Sequence, residues 1–293
     1  MVLVQRQADD ALFYNHSLDD TPTQDSFVTH AHDLYEILFF VSGHGVYLVE
    51  SAAYPLTPGC ILVMRPGEVH KLHITPDAPY ERVVVHFRER ALMEHTDAYR
   101  LLLAAFSERP LGESNRYSSE EIDSDFVRKC LERIEDTDSP ELTRLVASAM
   151  LPAILSELYR GYRRRQRQPQ PDIRIPQTRI RDILQYVNGH LCEELTLDDL
   201  CRRFYISKTQ LGRLFRAATG STAWDYILVK RLILARQLIL SGVPITEASV
   251  RSGFRDYSAF YRAYKKRYAS SPATDRVRTL EFPDDGTARA KND

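Results

Sequence analysis

The spacing of apolar residues changes partway along the chain. Between residues 26 and 87 they come in short runs, Ile37 to Val41, Val46 to Val49, Cys60 to Met64 and Arg82 to Phe87, punctuated by Ser42-Gly43, Pro58-Gly59 and Pro66-Gly67. β-branched and aromatic runs of that length between turn residues predict strands, and their even spacing predicts a sandwich or barrel. Later the apolar positions fall three to five apart: Phe126, Cys130, Leu131 and Ile134, then Leu142, Leu145, Val146, Ala149, Leu155, Leu158 and Tyr159. These are helix faces, expected between Ser119 and Arg165 and packed on the strands. Pro152 predicts a kink or restart, because an interior proline removes a hydrogen bond and costs about 3 kcal/mol. The stretch from Arg163 to Pro171 is too polar to join a core and reads as a linker. Helical spacing then runs from Gln177 to Arg278. The expected fold is α+β and multidomain: a strand domain at 1–115, a helical packing segment at 116–166, a linker at 167–176, an all-helical domain at 177–280 and a disordered tail at 281–293.

Charge sharpens this division. The net charge of -1 conceals -9 from Met1 to Asp172 and +10 from Ile173 to Leu280. Such asymmetry points the second half toward a polyanion. The four cysteines, Cys60, Cys130, Cys192 and Cys201, have neither C-x-x-C spacing nor disulfide-scaffold density, so reduced thiols are expected. The opening MVLVQRQADD lacks a signal-peptide pattern, and Lys230, Arg231, Arg236 and Gln237 interrupt the apolar stretch from Ile227 to Leu240. A cytoplasmic protein without a membrane partner is expected.

The helical half repeats itself. Displaced by 49 residues, Leu211, Arg213, Phe215, Arg216 and Gly220 fall on Phe260, Arg262, Tyr264, Lys265 and Ala269. In the first copy Thr196 and Ser207 are N-caps, and burial of Leu211, Leu214 and Phe215 leaves Thr209, Gly212, Arg213 and Arg216 as the outer stripe. In the second, Gly253-Phe254 makes a turn and Asp256 a cap. Phe260, Ala263 and Tyr264 then face inward, with Tyr257, Ser258, Tyr261, Arg262 and Lys265 outward. An arginine on each stripe suits a guanine edge or a phosphate. Between the copies, Thr222 to Leu240 predicts one long helix with Trp224, Ile227, Leu228, Leu232, Ala235, Leu238 and Ile239 available for burial. It would hold the two stripes about 34 Å apart, one turn of the duplex.

Leu197-x-x-Leu200, Ser207-x-x-x-Leu211-x-Arg213-x-Phe215-Arg216-x-x-x-Gly220, Arg231-Leu232-x-x-Ala235-x-x-Leu238, Gly253-Phe254, Phe260-x-Arg262-x-Tyr264-Lys265 and Ser271-Pro272 occur in order. This set resembles the AraC/XylS family of transcription regulators. The resemblance implies a paired helix-turn-helix unit that binds double-stranded DNA through Thr209, Arg213, Arg216, Tyr257, Ser258, Tyr261, Arg262 and Lys265. The resemblance favours an activator, which would contact RNA polymerase; the helices from Ser119 to Arg165 would supply a homodimer interface. Departures from the family pattern at Ala248, Ser249, Ser252, Ala269 and Asp275 thin the expected core of the second unit.

In the first half, His30-Ala31-His32-Asp33-Leu34-Tyr35-Glu36 with Gly43 resembles the first cupin signature, and Gly59, Pro66-Gly67 and His70 resemble the second. The cupin-like reading makes His30, His32, Glu36, His70 and Tyr35 ligand-binding candidates, with Tyr47, Arg65 and His73 as weaker ones. The segment is similar to the sensors of sugar-responsive members, the rhamnose and melibiose regulators among them, so a sugar is the expected effector and catalysis is not implied. Two alternatives stay open. A divalent metal has suitable ligands in His30, His32, Glu36 and His70, which would suit a metal-dependent cupin enzyme tethered to a DNA-binding domain, or the histidines are satisfied within the fold and hold nothing.

Overall fold

The computed structural model describes residues 2–9, 11–23, 29–75, 78–92, 97–168, 175–176 and 178–277. The expected tail and most of the expected linker lie outside the described residues.

The strands are β1 (Val2–Asp9), β2 (Leu12–Asp19), β3 (Tyr35–Ser42), β4 (Gly45–Val49), β5 (Ala52–Pro55), β6 (Ile61–Met64), β7 (His70–Ile74), β8 (Tyr80–Phe87), β9 (Arg116–Tyr117) and β10 (Ile175–Pro176). They form two sheets, ordered β1-β2-β8-β3-β6-β9 and β10-β5-β4-β7. Helices α1 (Asp97–Leu102), α2 (Ala104–Ser107), α3 (Ser124–Glu135) and α4 (Pro140–Arg167) follow the strand region. Strands β3, β6 and β8 of the six-stranded sheet are covered on both sides, which is why they read as largely apolar runs. Ile37, Phe39, Ile61, Val63, Val83 and Val85 face Val127, Leu131, Ile134, Leu151 and Leu155 of α3 and α4. Their sequence neighbours Leu38, Phe40, Leu62, Met64 and Val84 face Tyr47, Tyr54 and Leu72 of the second sheet.

Several expectations shift here. The hairpin of β1 and β2 lies ahead of the predicted strand region; polar residues such as Gln5, Asn15 and His16 dilute its apolar signal. Helix α4 runs through Pro152 without a break. It also continues to Arg167, so residues 163–167 are helix rather than linker, with Arg165 lying 4.2 Å from the centre of the Tyr117 ring and bonded to Glu121 at 2.6 Å. Phe126, Leu142 and Leu145, assigned to packing stripes, are exposed. Among the described residues α4 is the one helix long and apolar enough to cross a membrane. Ile154, Leu155 and Leu158 on it are fully buried against the sheet, as in a core helix.

The second half contains α5 (Thr178–Gly189), α6 (Leu197–Phe204), α7 (Lys208–Thr219), α8 (Ala223–Leu240), α9 (Ile245–Arg251), α10 (Tyr257–Tyr268) and α11 (Pro272–Val277). As the pattern predicted, α8 serves two cores, giving Tyr226 and Ile227 to the first and Leu232, Ala235 and Ile239 to the second. Trp224, expected to be buried, is half exposed. The first core also takes in Ala31 and Val69 from the strand domain, so the two halves share a hydrophobic boundary. Helix α7 ends against that domain, where a Cβ on Gly220 would stand 2.1 Å from the Thr29 hydroxyl oxygen.

Candidate nucleic-acid interface and effector centre

Helices α7 and α10 are each started by their own cap. Asp199 N–H bonds to the Thr196 hydroxyl at 3.1 Å, starting α6, and Ser207 and Gln210 form a reciprocal capping box at the start of α7. In the second unit Gly253, at φ +90°, makes the turn before α10; a Cβ there would stand 2.4 Å from the Leu191 carbonyl oxygen. Asp256 then accepts from Ala259 N–H at 2.5 Å. Burial of Leu211 and Phe215 on α7, and of Phe260 and Tyr264 on α10, orients both helices. Thr209, Arg213, Arg216, Tyr257, Ser258, Tyr261, Arg262 and Lys265 are all exposed on the outer faces. Gly212 lies on the first stripe with open space around it.

The departures in the second unit have structural partners. Asp275 is buried, 3.0 Å from Arg236 Nε, and accepts from the Tyr264 hydroxyl at 2.8 Å. Ser252 donates to the Ala248 carbonyl at 2.8 Å, and Ala269 takes the left-handed cap position at φ +51°. The resulting core is small: Leu232, Ala235, Ile239, Ala248, Phe260 and Tyr264.

In the strand domain one ligand atom from each of His30, His32, Glu36 and His70 lies within 4.8 Å of the others. One oxygen of Glu36 is the centre: His32 Nε2 is 2.7 Å away, His86 Nε2 3.1 Å and His70 Nε2 3.3 Å. The Tyr47 hydroxyl reaches the other oxygen at 3.4 Å. Two of the imidazoles are oriented from behind, His32 Nδ1 by the Leu34 carbonyl at 3.1 Å and His70 Nδ1 by the Glu68 carbonyl at 2.8 Å. A carbonyl only accepts, so each Nδ1 carries a proton and each Nε2 is turned to the centre. His70 Nε2 is buried there without a hydrogen-bond partner.

The strand domain thus collects a site broader than the sequence motif. His86 joins it and was missed; its signal was a lone polar residue after Val83-Val84-Val85. Tyr47 joins as well. Tyr35 does not: it lies on the opposite face of β3 from Glu36, stacks on Phe87 with centroids 5.2 Å apart and donates to Glu89 at 3.0 Å. Arg65 turns to the carbonyls of Ser107 and Arg109, and His73 is exposed. The path from His30 to Glu36 is bent rather than one continuous strand, so convergence comes from that bend and the β-bridge between His30 and His70.

Burial holds the His32 imidazole down to about 4, although the Glu36 carboxylate beside it favours the charged form. Burial also pulls on His70, but the Glu36 charge outweighs it and the pKa rises. For Glu36, burial alone would raise the pKa; the charge of His70 and the surrounding imidazoles hold it well below the usual carboxylate range. The donor set fits a divalent transition metal, since three histidine nitrogens and a carboxylate converge and His70 Nε2, 3.3 Å from Glu36, makes no hydrogen bond. It also offers donors and acceptors to hydroxyl groups.

A pH dependence follows for chelator-treated protein. The unfolded chain protonates His32 near 6.5 and the folded chain only near 4, so this contribution to stability is complete above pH 6.5 and is lost as pH falls toward 4. The raised His70 changes stability in the opposite sense only above pH 6.5. Urea titrations at pH 7, 5.5 and 4.5 should show a loss of about 1.4 kcal/mol per pH unit from His32, which His32→Gln removes. An unchanged slope in that variant would contradict the assignment.

With these geometries established, two family models match successive parts of the chain, an AraC-like ligand binding domain over residues 18–111 and a helix-turn-helix domain over residues 200–278. The chain is similar to the HTH-type transcriptional activator RhaS of Yersinia pestis (strain Pestoides F), with 26% identity over 257 residues covering 85% of this chain and 89% of that one. Among solved structures, ToxT from Vibrio cholerae O395 matches at 13% identity over 92% of this chain and 98% of that one, with a TM-score of 0.37. An AraC-type regulator from Chromobacterium violaceum matches at 26% identity over 35% of this chain and 93% of that one, with a TM-score of 0.33. The chain belongs to the AraC family of DNA-binding transcription regulators, with a ligand-binding domain preceding its helix-turn-helix domain.

Proposed function

We propose that this protein is a cytoplasmic transcription activator that reads an asymmetric DNA site through α7 and α10 under control of a small molecule bound at His30, His32, Glu36 and His70. One observation carries the DNA reading: two separately capped recognition helices expose matched polar stripes while burying matched aromatic residues, Phe215 and Tyr264. The activator assignment is supported by the RhaS relatives, whose name describes transcriptional activators; RNA polymerase is then the protein partner. In this reading residues 1–115 sense, 116–166 dimerise and 177–280 bind DNA. The exposed Phe126, Leu142 and Leu145 on α3 and α4 support the homodimer face.

For the effector we propose a sugar, whose hydroxyls would meet the imidazoles and carboxylate of the centre. A second reading, a bound divalent metal, is favoured by the two imidazoles fixed with Nε2 inward beside the Glu36 carboxylate. In a fixed-salt titration against matched and scrambled duplexes, Arg213→Ala and Arg262→Ala should each cost about 1 to 3 kcal/mol at the preferred site and reduce discrimination. Equal weakening on every sequence would make these side chains phosphate contacts and overturn their reading role.

A further inference from the structure

Two short segments stand between the His/Glu centre and the DNA-binding half. Segments 30–33 and 67–70 are joined by reciprocal backbone bonds between His30 and His70, at 3.0 and 2.9 Å, and by Gly67 N–H to the His32 carbonyl at 2.8 Å. Neighbouring residues on them serve opposite sides. His30, His32 and His70 supply the centre. Ala31 and Val69 are buried in the core of the first helix-turn-helix unit, and Asp33 lies 3.7 Å from Arg236 on α8.

Their carbonyls also reach across. Gly67 O accepts from Lys230 Nζ at 2.5 Å, and Ala31 O accepts from Arg267 at 2.5 Å. Glu50 closes the contact. One of its oxygens accepts from Val69 N–H at 2.9 Å and from the Lys230 ammonium, the other from the Tyr226 hydroxyl. Glu50 holds φ +53°, a left-handed backbone unusual for a residue with a Cβ, and it and Lys230 are almost completely buried. A buried ion pair tolerates little displacement, because separating it leaves an uncompensated charge in a dry setting.

We propose that segments 30–33 and 67–70 transmit occupancy of the His/Glu centre to the docking of α8, with Glu50, Lys230 and Tyr226 as the latch. The proposal rests on the reading of that centre as the effector site. A ligand that draws His32 and His70 toward itself moves the residues whose carbonyls and side chains hold α8. It shifts docking by as much as its affinity differs between the docked and released arrangements.

Hydrogen exchange on the full-length protein tests this in peptides covering 29–34, 66–72 and 226–236. Lys230→Met should speed exchange at 66–72 by about tenfold or more, and Lys230→Arg, which keeps the cation, should recover part of the protection. Glu36→Gln, well inside the sensor, should change exchange at 226–236 by about fivefold. In the Lys230→Met/Glu36→Gln double variant the two effects should not multiply independently. Independence there, or a Glu36→Gln effect confined to 29–34, overturns the proposal.

Zinc chloride and a panel of neutral monosaccharides serve as effector probes. A probe that binds and alters 29–34 but not 226–236 sinks the transmission and leaves the effector reading intact. If no probe binds while the two variants remain coupled, the effector reading fails and the mechanical link stands.

Discussion

Replacing Arg109 with methionine is expected to destabilise the sensor by about 3 to 5 kcal/mol, because it strands the buried Glu68 carboxylate. Arg109 donates to both Glu68 oxygens at 2.7 Å. It also donates to the Val63, Ala105 and Glu113 carbonyls, each at 3.1 Å. Glu68 collects further donors from Gly112 N–H at 3.0 Å and Asn115 Nδ2 at 3.1 Å. Burial favours the neutral acid, but Arg109, with Arg65 and the Gly112 N–H, holds its pKa down to about 2.

The expected loss is a large share of a typical domain's 5 to 15 kcal/mol or so. Arg109→Met/Glu68→Leu should recover much of it, since the stranded charge is removed as well. Chemical denaturation of the single and double variants checks both statements. An Arg109→Met protein within about 1 kcal/mol of wild type would show that water or another cation compensates Glu68. The effect also reaches the His/Glu centre, because the Glu68 carbonyl orients His70.

Phe260→Ala is expected to remove the second helix-turn-helix unit from DNA while leaving the first engaged. Phe260 is fully buried in the small second core, with its ring 5.1 Å from Phe254 and 5.4 Å from Tyr264. A phenylalanine truncated to alanine in such a setting costs about 3 to 5 kcal/mol. Ala248, Ser249 and Ser252 offer little side-chain volume to refill the cavity. The first core, built on Leu211, Phe215, Tyr226 and Ile227 and backed by Ala31 and Val69, does not contain Phe260.

Footprinting should therefore lose one of two contacted major-groove segments, and Arg213→Ala should still weaken what remains by about 1 to 3 kcal/mol. A full-length footprint from the Phe260→Ala protein would show that the second unit does not depend on this core.

Helices α7 and α10 were legible because their determinants are local. Thr196, Ser207 and Asp256 cap backbone groups three residues ahead, Gly253 satisfies a turn's own dihedral requirement, and helical periodicity separates Arg213 from Phe215. In the sensor the same approach located His30, His32, Glu36 and His70 but chose Tyr35 and missed His86. With both faces of the β3 sheet buried, alternation distinguishes two sides without revealing which one holds the polar centre.

Sequence alone thus determined helices α7 and α10, their caps, their exposed stripes and the residue types of the sensor motif, since each depends on neighbours within a turn or two. Tertiary structure decided that β8 brings His86 to Glu36, that Arg109 neutralises Glu68, and that Lys230 and Arg236 are buried at a domain boundary instead of lining a solvated helix. Those pairings join residues from about 40 to 200 positions apart. Burial and charge compensation select them only after the sheets and helices have packed.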